Sequence, residues 1–119
     1  MKQDNVIVDK SKVFALRIIR LYKYLYSEQH EYILSKQVLR SGTSIGANVK
    51  EAIRGQSKPD VYAKLNIALK EASETEYWLE LLHESEYIDS AAFDSIYSDC
   101  QELIRLLVAI TKTQNKGGK

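Results

Sequence analysis

Residues 90–113 read SAAFDSIYSDCQELIRLLVAITKT, and within them Phe93, Ile96, Tyr97, Cys100, Leu103, Ile104, Leu107 and Ile110 recur at steps of three and four. That spacing puts all of them on one face of an α-helix, with Asp89 or Ser90 available as its cap. A helix with a single apolar stripe has to bury it against other elements, so this stretch sets the fold once the rest of the chain is seen to supply matching stripes.

Upstream, Ser57-Lys-Pro-Asp60 combines a capping hydroxyl, an early proline and an acid at the positive helix end. It predicts a helix over about 58–83 with Val61, Leu65, Ala68, Ala72, Leu79 and Leu82 inward. Before it, Leu34, Val38, Ile45, Val49 and Ala52 predict a helix over about 33–54, and Phe14, Ile18, Leu21, Tyr22 and Leu25 one over about 11–27 capped by Asp9 or Ser11. The reading is all-α: one domain over residues 1–113, an up-down antiparallel four-helix bundle, with the polar, glycine-rich residues 114–119 as a disordered tail. Gly42 and Gly46 interrupt the second helix four residues apart, where a missing Cβ lets a neighbouring backbone come close.

At 119 residues the chain has room for one core. Its opening MKQDNVIVDK lacks the apolar run of a secretory signal and Cys100 is its single cysteine, so a cytoplasmic, reducing setting is expected. The longest apolar run, Leu106 to Ile110, is far too short to span a bilayer. The net charge of +1 conceals an asymmetry: residues 1–58 hold eleven Lys and Arg against five Asp and Glu, and residues 59–119 hold six against eleven. Such polarity suits an acidic ligand, pairing between unlike faces of copies, or attraction between helices.

Chemistry-bearing patterns are sparse. Glu80-Leu-Leu-His83 has the spacing that supplies two metal ligands from one helix face, but di-metal bundles use it twice, and the only other histidine, His30, has Ser27 three residues before it. No nucleophile, base and orienting group assemble, and Cys100 lies within an apolar stripe, so neither a catalytic site, a cofactor nor a metal is expected. Glu76 falls near the apolar side of its helix and calls for a partner such as Ser41, Ser44, Asn48 or an arginine. Tyr22, Tyr24, Tyr26 and Tyr32 gather at the first inter-helix turn near Lys23; they suit a base-stacking platform or, more commonly, rings that cover the end of a core while their hydroxyls stay wet.

Two helix faces are basic. Lys36, Arg40, Lys50 and Arg54 form a band on the second helix, and Arg17, Arg20 and Lys23 lie with Lys12 on the first, interspersed with Leu16 and Tyr24. Such rows neutralise successive phosphates with little sequence selectivity, or serve only solubility.

The stretches Leu39-Arg-Ser-Gly-Thr-Ser-Ile-Gly-Ala-Asn-Val-Lys-Glu-Ala52, Ala63-Lys-Leu-Asn-Ile-Ala-Leu-Lys-Glu-Ala72 and Glu76-Tyr-Trp-Leu79, with Ser57 between, resemble the bacterial four-helix-bundle proteins encoded in 23S ribosomal RNA intervening sequences. The resemblance covers about residues 10–112. It implies an up-down bundle packed as a ring-shaped homopentamer and a link to nucleic acid. The fold is shared with the accessory variability determinant of diversity-generating retroelements, whose basic pentamer engages nucleic acid and a reverse transcriptase; the present chain, with a pI of about 7.8, is less basic than that role implies. Carried over as family-motif positions serving packing and assembly are Arg40, Ser41, Ser44, Asn48, Glu51, Ser57 and Glu76.

The expectation is therefore a non-enzymatic oligomeric adaptor that contacts RNA or DNA through Arg17, Arg20, Lys23, Lys36, Arg40, Lys50 and Arg54, alongside a protein partner such as a reverse transcriptase. The alternative is a structural or protein-interaction module that binds no nucleic acid.

Overall fold

The apolar stripes become four α-helices in the computed structural model, which describes residues 2–117, with side chains described over 6–113. These are α1 (Lys2–Ser27), α2 (Leu34–Ala52), α3 (Lys58–Glu84) and α4 (Ser90–Gly117). Each packs on its two chain neighbours and α1 closes against α4, giving a square bundle 49 Å long and 21 Å across. Side-chain pairs fix the helices as antiparallel: Arg40 reaches Glu74 while Glu51 meets Lys64, and Lys10 meets Glu102 while Arg17 meets Asp99.

The helix bounds depart from expectation where tertiary burial outweighs a local stop signal. The first helix begins at Lys2, not near Ser11, because Ile7 continues the Phe14–Ile18 stripe and is 1% exposed. Ser11 is no cap; it lies inside the bundle and donates its hydroxyl proton to the Val8 carbonyl at 3.1 Å. The second helix stops at Ala52, where Arg54 N–H turns back to the Glu51 carbonyl and Gly55 N–H to that of Ala52. The fourth runs through Gly117, so residues 114–117, expected to belong to a disordered tail, are helical: nothing before Gly117 breaks the backbone ladder. Residues 118–119 lie outside the described residues.

Caps follow the sequence more closely at the other ends. Ser57 Oγ accepts from Asp60 N–H at 3.3 Å, with Pro59 in the first turn of α3, and Asp89 Oδ1 accepts from Ala92 N–H at 2.8 Å before α4. The cap of α2 comes from the turn before it. The Glu31 carboxylate, 9% exposed, accepts from Ser35 N–H at 2.7 Å and Ile33 N–H at 3.3 Å, placing a negative charge at the positive helix end. His30 makes this turn possible by adopting φ 52, a left-handed conformation that histidine tolerates better than most residues.

The core is a single cluster in which Phe14, Ile18, Leu25, Val38, Ile45, Leu79, Leu82, Leu103 and Leu107 are all but inaccessible. At the α1–α2 contact the two glycines behave differently. A Cβ on Gly42 would lie 2.8 Å from Ile18 Cγ1, whereas one on Gly46 would stand 3.3 Å from the Ser11 carbonyl oxygen. Across α2 and α3 the buried hydroxyls of Ser41 and Thr75 are 2.8 Å apart, and Thr75 Oγ1 is also 2.8 Å from the Glu71 carbonyl. Two hydroxyl protons are enough to satisfy both contacts.

Ser35 Oγ, fully buried, has no hydrogen-bond partner among the described residues. Ser35→Ala removes an unpaired polar atom while leaving the Ser35 N–H bond to Glu31 intact, so chemical denaturation should show stability unchanged or raised by up to about 1 kcal/mol. A loss of more than that would mean the hydroxyl has a partner in solution.

Candidate nucleic-acid interface

The seven cationic residues expected to contact nucleic acid divide into two groups. Arg17 and Arg40 are bound within the bundle. Arg17 donates to Asp99 at 2.6 Å and to the Ser95 hydroxyl at 2.9 Å, tying α1 to α4. Arg40 donates to Glu71 at 3.1 Å and to Glu74, and Trp78 Nε1 donates to the same Glu74 carboxylate at 3.0 Å. Those bonds hold the Glu74 carboxyl below its ordinary range, Trp78 contributing most and Arg40 next. The resulting α2–α3 clasp is present at neutral pH and loosens only in acid, as the pH falls through the depressed Glu74 value. The i, i+4 spacing of Glu74 and Trp78 was its only sequence signal, and it does not reveal Arg40 as the third member.

Arg20, Lys23, Lys36, Lys50 and Arg54 are exposed and make no ion pair among the described residues. They belong to α1, α2 and the turn after it, the half of the chain in which bases outnumber acids. The register that sets Ile18 against Gly42 and Ser11 against Gly46 brings Lys23 level with Lys36 across the α1–α2 seam. Farther along that seam an open groove of about 400 Å³ is lined by the small residues Ser11, Ala15, Thr43, Gly46 and Ala47, with Lys12, Lys50 and the acid Asp9 as its charged groups. Small residues open the groove, and two lysines and one acid give it charge.

The family-motif residues lie inward or along the helix. Ser44 Oγ donates to the Arg40 carbonyl and Asn48 Nδ2 to that of Ser44, both bonds internal to α2, while Glu51 pairs with Lys64 at 3.0 Å. The hydrogen-bond partner expected for Glu76 is not found among the described residues: Ser41 bonds to Thr75, one position earlier, and Glu76 stays half-exposed beside α4. A carboxylate that the helical pattern places nearer the core thus keeps access to solvent.

Groups that could carry chemistry are otherwise engaged. Cys100 is buried with Sγ 3.4 Å from the Ala72 carbonyl, and burial, followed by the charges of Glu76, Asp99 and Glu80, pushes its thiol up to about 12. The Tyr97 hydroxyl donates to Glu80 at 2.5 Å, a bond that raises its pKa well above the usual phenol value. His83 stacks on Phe93 at 4.2 Å and meets the Ser90 hydroxyl at 3.1 Å, so Glu80 and His83 take separate partners instead of a shared ion. Among the described residues, no three His, Cys, Asp or Glu side chains gather as a metal would require, and no helix is long and apolar enough to cross a membrane.

The chain matches the family model described as 23S rRNA-intervening sequence protein over residues 3–109. It is also similar to the crystal structure of a Bacteroides thetaiotaomicron protein of unknown function from the S23 ribosomal protein family, with 58% identity and a TM-score of 0.91, over 92% of this chain and 98% of that one. Among curated proteins none matches. With the family pattern spanning all four helices and the same bundle in a relative of this identity, the chain is a member of the 23S rRNA-intervening sequence protein family.

Proposed function

We propose that the chain is a non-enzymatic, cytoplasmic, oligomeric adaptor that binds RNA or DNA through the outward face of α1 and α2. The observation that supports this reading is the division of the cations: among the described residues Arg20, Lys23, Lys36, Lys50 and Arg54 are exposed and make no ion pair, while Arg17 and Arg40 are held by acids of α4 and α3. An unpaired ammonium or guanidinium is available to a phosphate, and displacing condensed counterions from the nucleic acid drives binding. Assembly as a homopentamer, which the family resemblance implies, would repeat the face around a ring and raise a modest charge to a useful one. A protein partner such as a reverse transcriptase would then read the same ring.

Lys50→Glu with Arg54→Glu tests the proposal. Affinity for an RNA or DNA oligonucleotide should fall about tenfold or more and the salt dependence should flatten by roughly one to two counterions, with the native mass unchanged. Equal affinity of the variant and the parent protein overturns it. Exposed Val13, Leu16 and Tyr24 on the outside of α1 favour a second reading, in which the surface serves only contacts between protein copies. In that case native mass spectrometry finds the oligomer and filter binding finds no nucleic acid at low salt.

A further inference from the structure

Six of the eight tyrosines fall into two groups. Tyr62, Tyr87 and Tyr97 lean on the core. Tyr22, Tyr26 and Tyr32 pack on one another instead: Tyr22 and Tyr26 at 5.7 Å between ring centres, Tyr26 and Tyr32 edge-on at 4.8 Å, with the His30 ring 6.4 Å from Tyr32 and its Nδ1 3.2 Å from the Tyr32 hydroxyl. Despite these mutual contacts Tyr26 and Tyr32 remain 44% and 45% exposed, and the neighbouring Ile33 is 75% exposed. Together the rings form a shelf that is in part open to solvent. That exposure suits a stacking platform as well as rings at the end of a core whose hydroxyls stay wet.

Charge surrounds the shelf on the side where it meets the α1–α2 seam. Lys23 lies one helical turn before Tyr26, on the neighbouring surface of α1, and Lys36 stands in the first turn of α2 directly after Tyr32 and Ile33. Both ammonium groups are exposed and unpaired among the described residues. Of the nearby acids, Glu31 is turned inward to cap α2, Glu28 is exposed, and the exposed Glu86 and Asp89 of the α3–α4 turn line a cleft with Tyr24 and Gln29 on the other side of α1. The backbone turn through His30 at φ 52 and the bond from Glu31 N–H to the Leu25 carbonyl at 2.9 Å fix the shelf to the ends of both helices.

We infer that this end of the bundle is a stacking site for unpaired bases, so that the nucleic acid bound is single-stranded. The inference rests on the proposed nucleic-acid function and names its substrate class. Phosphates of a single strand lie along the lysines of the seam, which from Lys36 to Lys50 extend about 21 Å along α2, and one or two bases leave the strand to stack on Tyr26 and Tyr32. A duplex keeps its bases stacked on each other and can offer the shelf only its backbone, so it gains nothing from the rings. The 2′-hydroxyl plays no part in ring stacking, and RNA and DNA strands are both accommodated.

The test compares Tyr26→Ala/Tyr32→Ala, Tyr26→Phe/Tyr32→Phe and Lys50→Glu/Arg54→Glu in the full chain. The probes are an oligouridine and an oligothymidine of about fifteen nucleotides, an abasic strand of the same length, and a duplex. Both tyrosines are exposed at the bundle end, so the variants should fold, which circular dichroism of each one checks. The alanine pair should lose roughly ten- to a hundredfold in affinity for the two base-bearing strands and little for the abasic strand or the duplex, while the phenylalanine pair retains the parent affinity. If the alanine pair binds the base-bearing strands as tightly as the parent while the charge-reversed variant does not, the shelf is refuted and the basic face stands. If the parent binds none of the probes at low salt, both fall. If the parent favours the duplex, the stacking site is refuted.

Discussion

Gly42→Ala is expected to destabilise the bundle by about 1–3 kcal/mol, although the same exchange in an unobstructed helix interior stabilises by up to about 1 kcal/mol. The new methyl group would lie 2.8 Å from Ile18 Cγ1 and 2.9 Å from Cγ2. Ile18 is fully buried and β-branched; in a helix it has one strongly preferred rotamer, so its branch point cannot swing aside as the tip of a long chain could. Relief has to come from moving α1 away from α2, which opens the seam on its core side. Gly42→Leu should exceed the alanine loss and approach the whole stability of a small domain, roughly 5 kcal/mol. Gly46→Ala is the control: its Cβ would meet the Ser11 carbonyl oxygen at 3.3 Å, a gap that a shift of a few tenths of an ångström restores. Its overpacking cost and propensity gain nearly cancel, so urea unfolding should leave it close to the parent. Equal stabilisation by both alanines would show that α1 and α2 are not held together at Gly42.

The glycine pair links stability to the outer face. Close approach of α1 and α2 brings Lys23 level with Lys36 and leaves the shallow groove between Lys12 and Lys50. A larger residue at Gly42 therefore alters the spacing of the lysines as well as the core. Gly42→Ala should weaken any phosphate contact that spans the seam, even though neither atom of that contact belongs to residue 42.

The pattern of apolar residues was sufficient to read the four helices and nearly all their inward positions, because burial of a stripe is a local constraint repeated along the chain. It was insufficient for Ile7, which lies upstream of two plausible caps, Asp9 and Ser11; only the presence of α2 and α4 shows why the helix runs through them. The basic band was equally legible as composition but not as availability. Arg40 and Lys36 share one face of α2, yet Arg40 reaches the acids of α3 and Lys36 reaches none among the described residues, a difference decided by the position of a helix more than thirty residues away in sequence. The tyrosine shelf was visible as a cluster, but its exposure depends on how the α1–α2 turn closes through His30 and Glu31.

Raising the pH from 9 to 11 should destabilise the bundle, and Cys100→Ala should remove about 2–3 kcal/mol of that loss. The Cys100 thiol is raised from 9.0 to about 12, first by burial and then by Glu76, Asp99 and Glu80. A raised acid of this kind stabilises the fold fully below the unfolded value; between the two values the unfolded chain releases the proton and the folded chain retains it. Stability then falls with rising pH by at most about 1.4 kcal/mol per unit for this group, and the contribution is gone once the folded thiol itself titrates. Tyr97 acts in the same direction, its phenol held protonated chiefly by the bond to Glu80 and then by burial, so Tyr97→Phe should reduce the alkaline loss further. Every other group that responds to alkali is common to parent and variants. The informative quantity is the difference in slope between parent and Cys100→Ala, read from urea unfolding at pH 8, 9, 10 and 11. Cys100→Ala is itself less stable at pH 8 because it leaves a gap against the Ala72 carbonyl. That offset is independent of pH, and parallel curves for the two proteins would show that the thiol is ionised as easily inside the bundle as outside it.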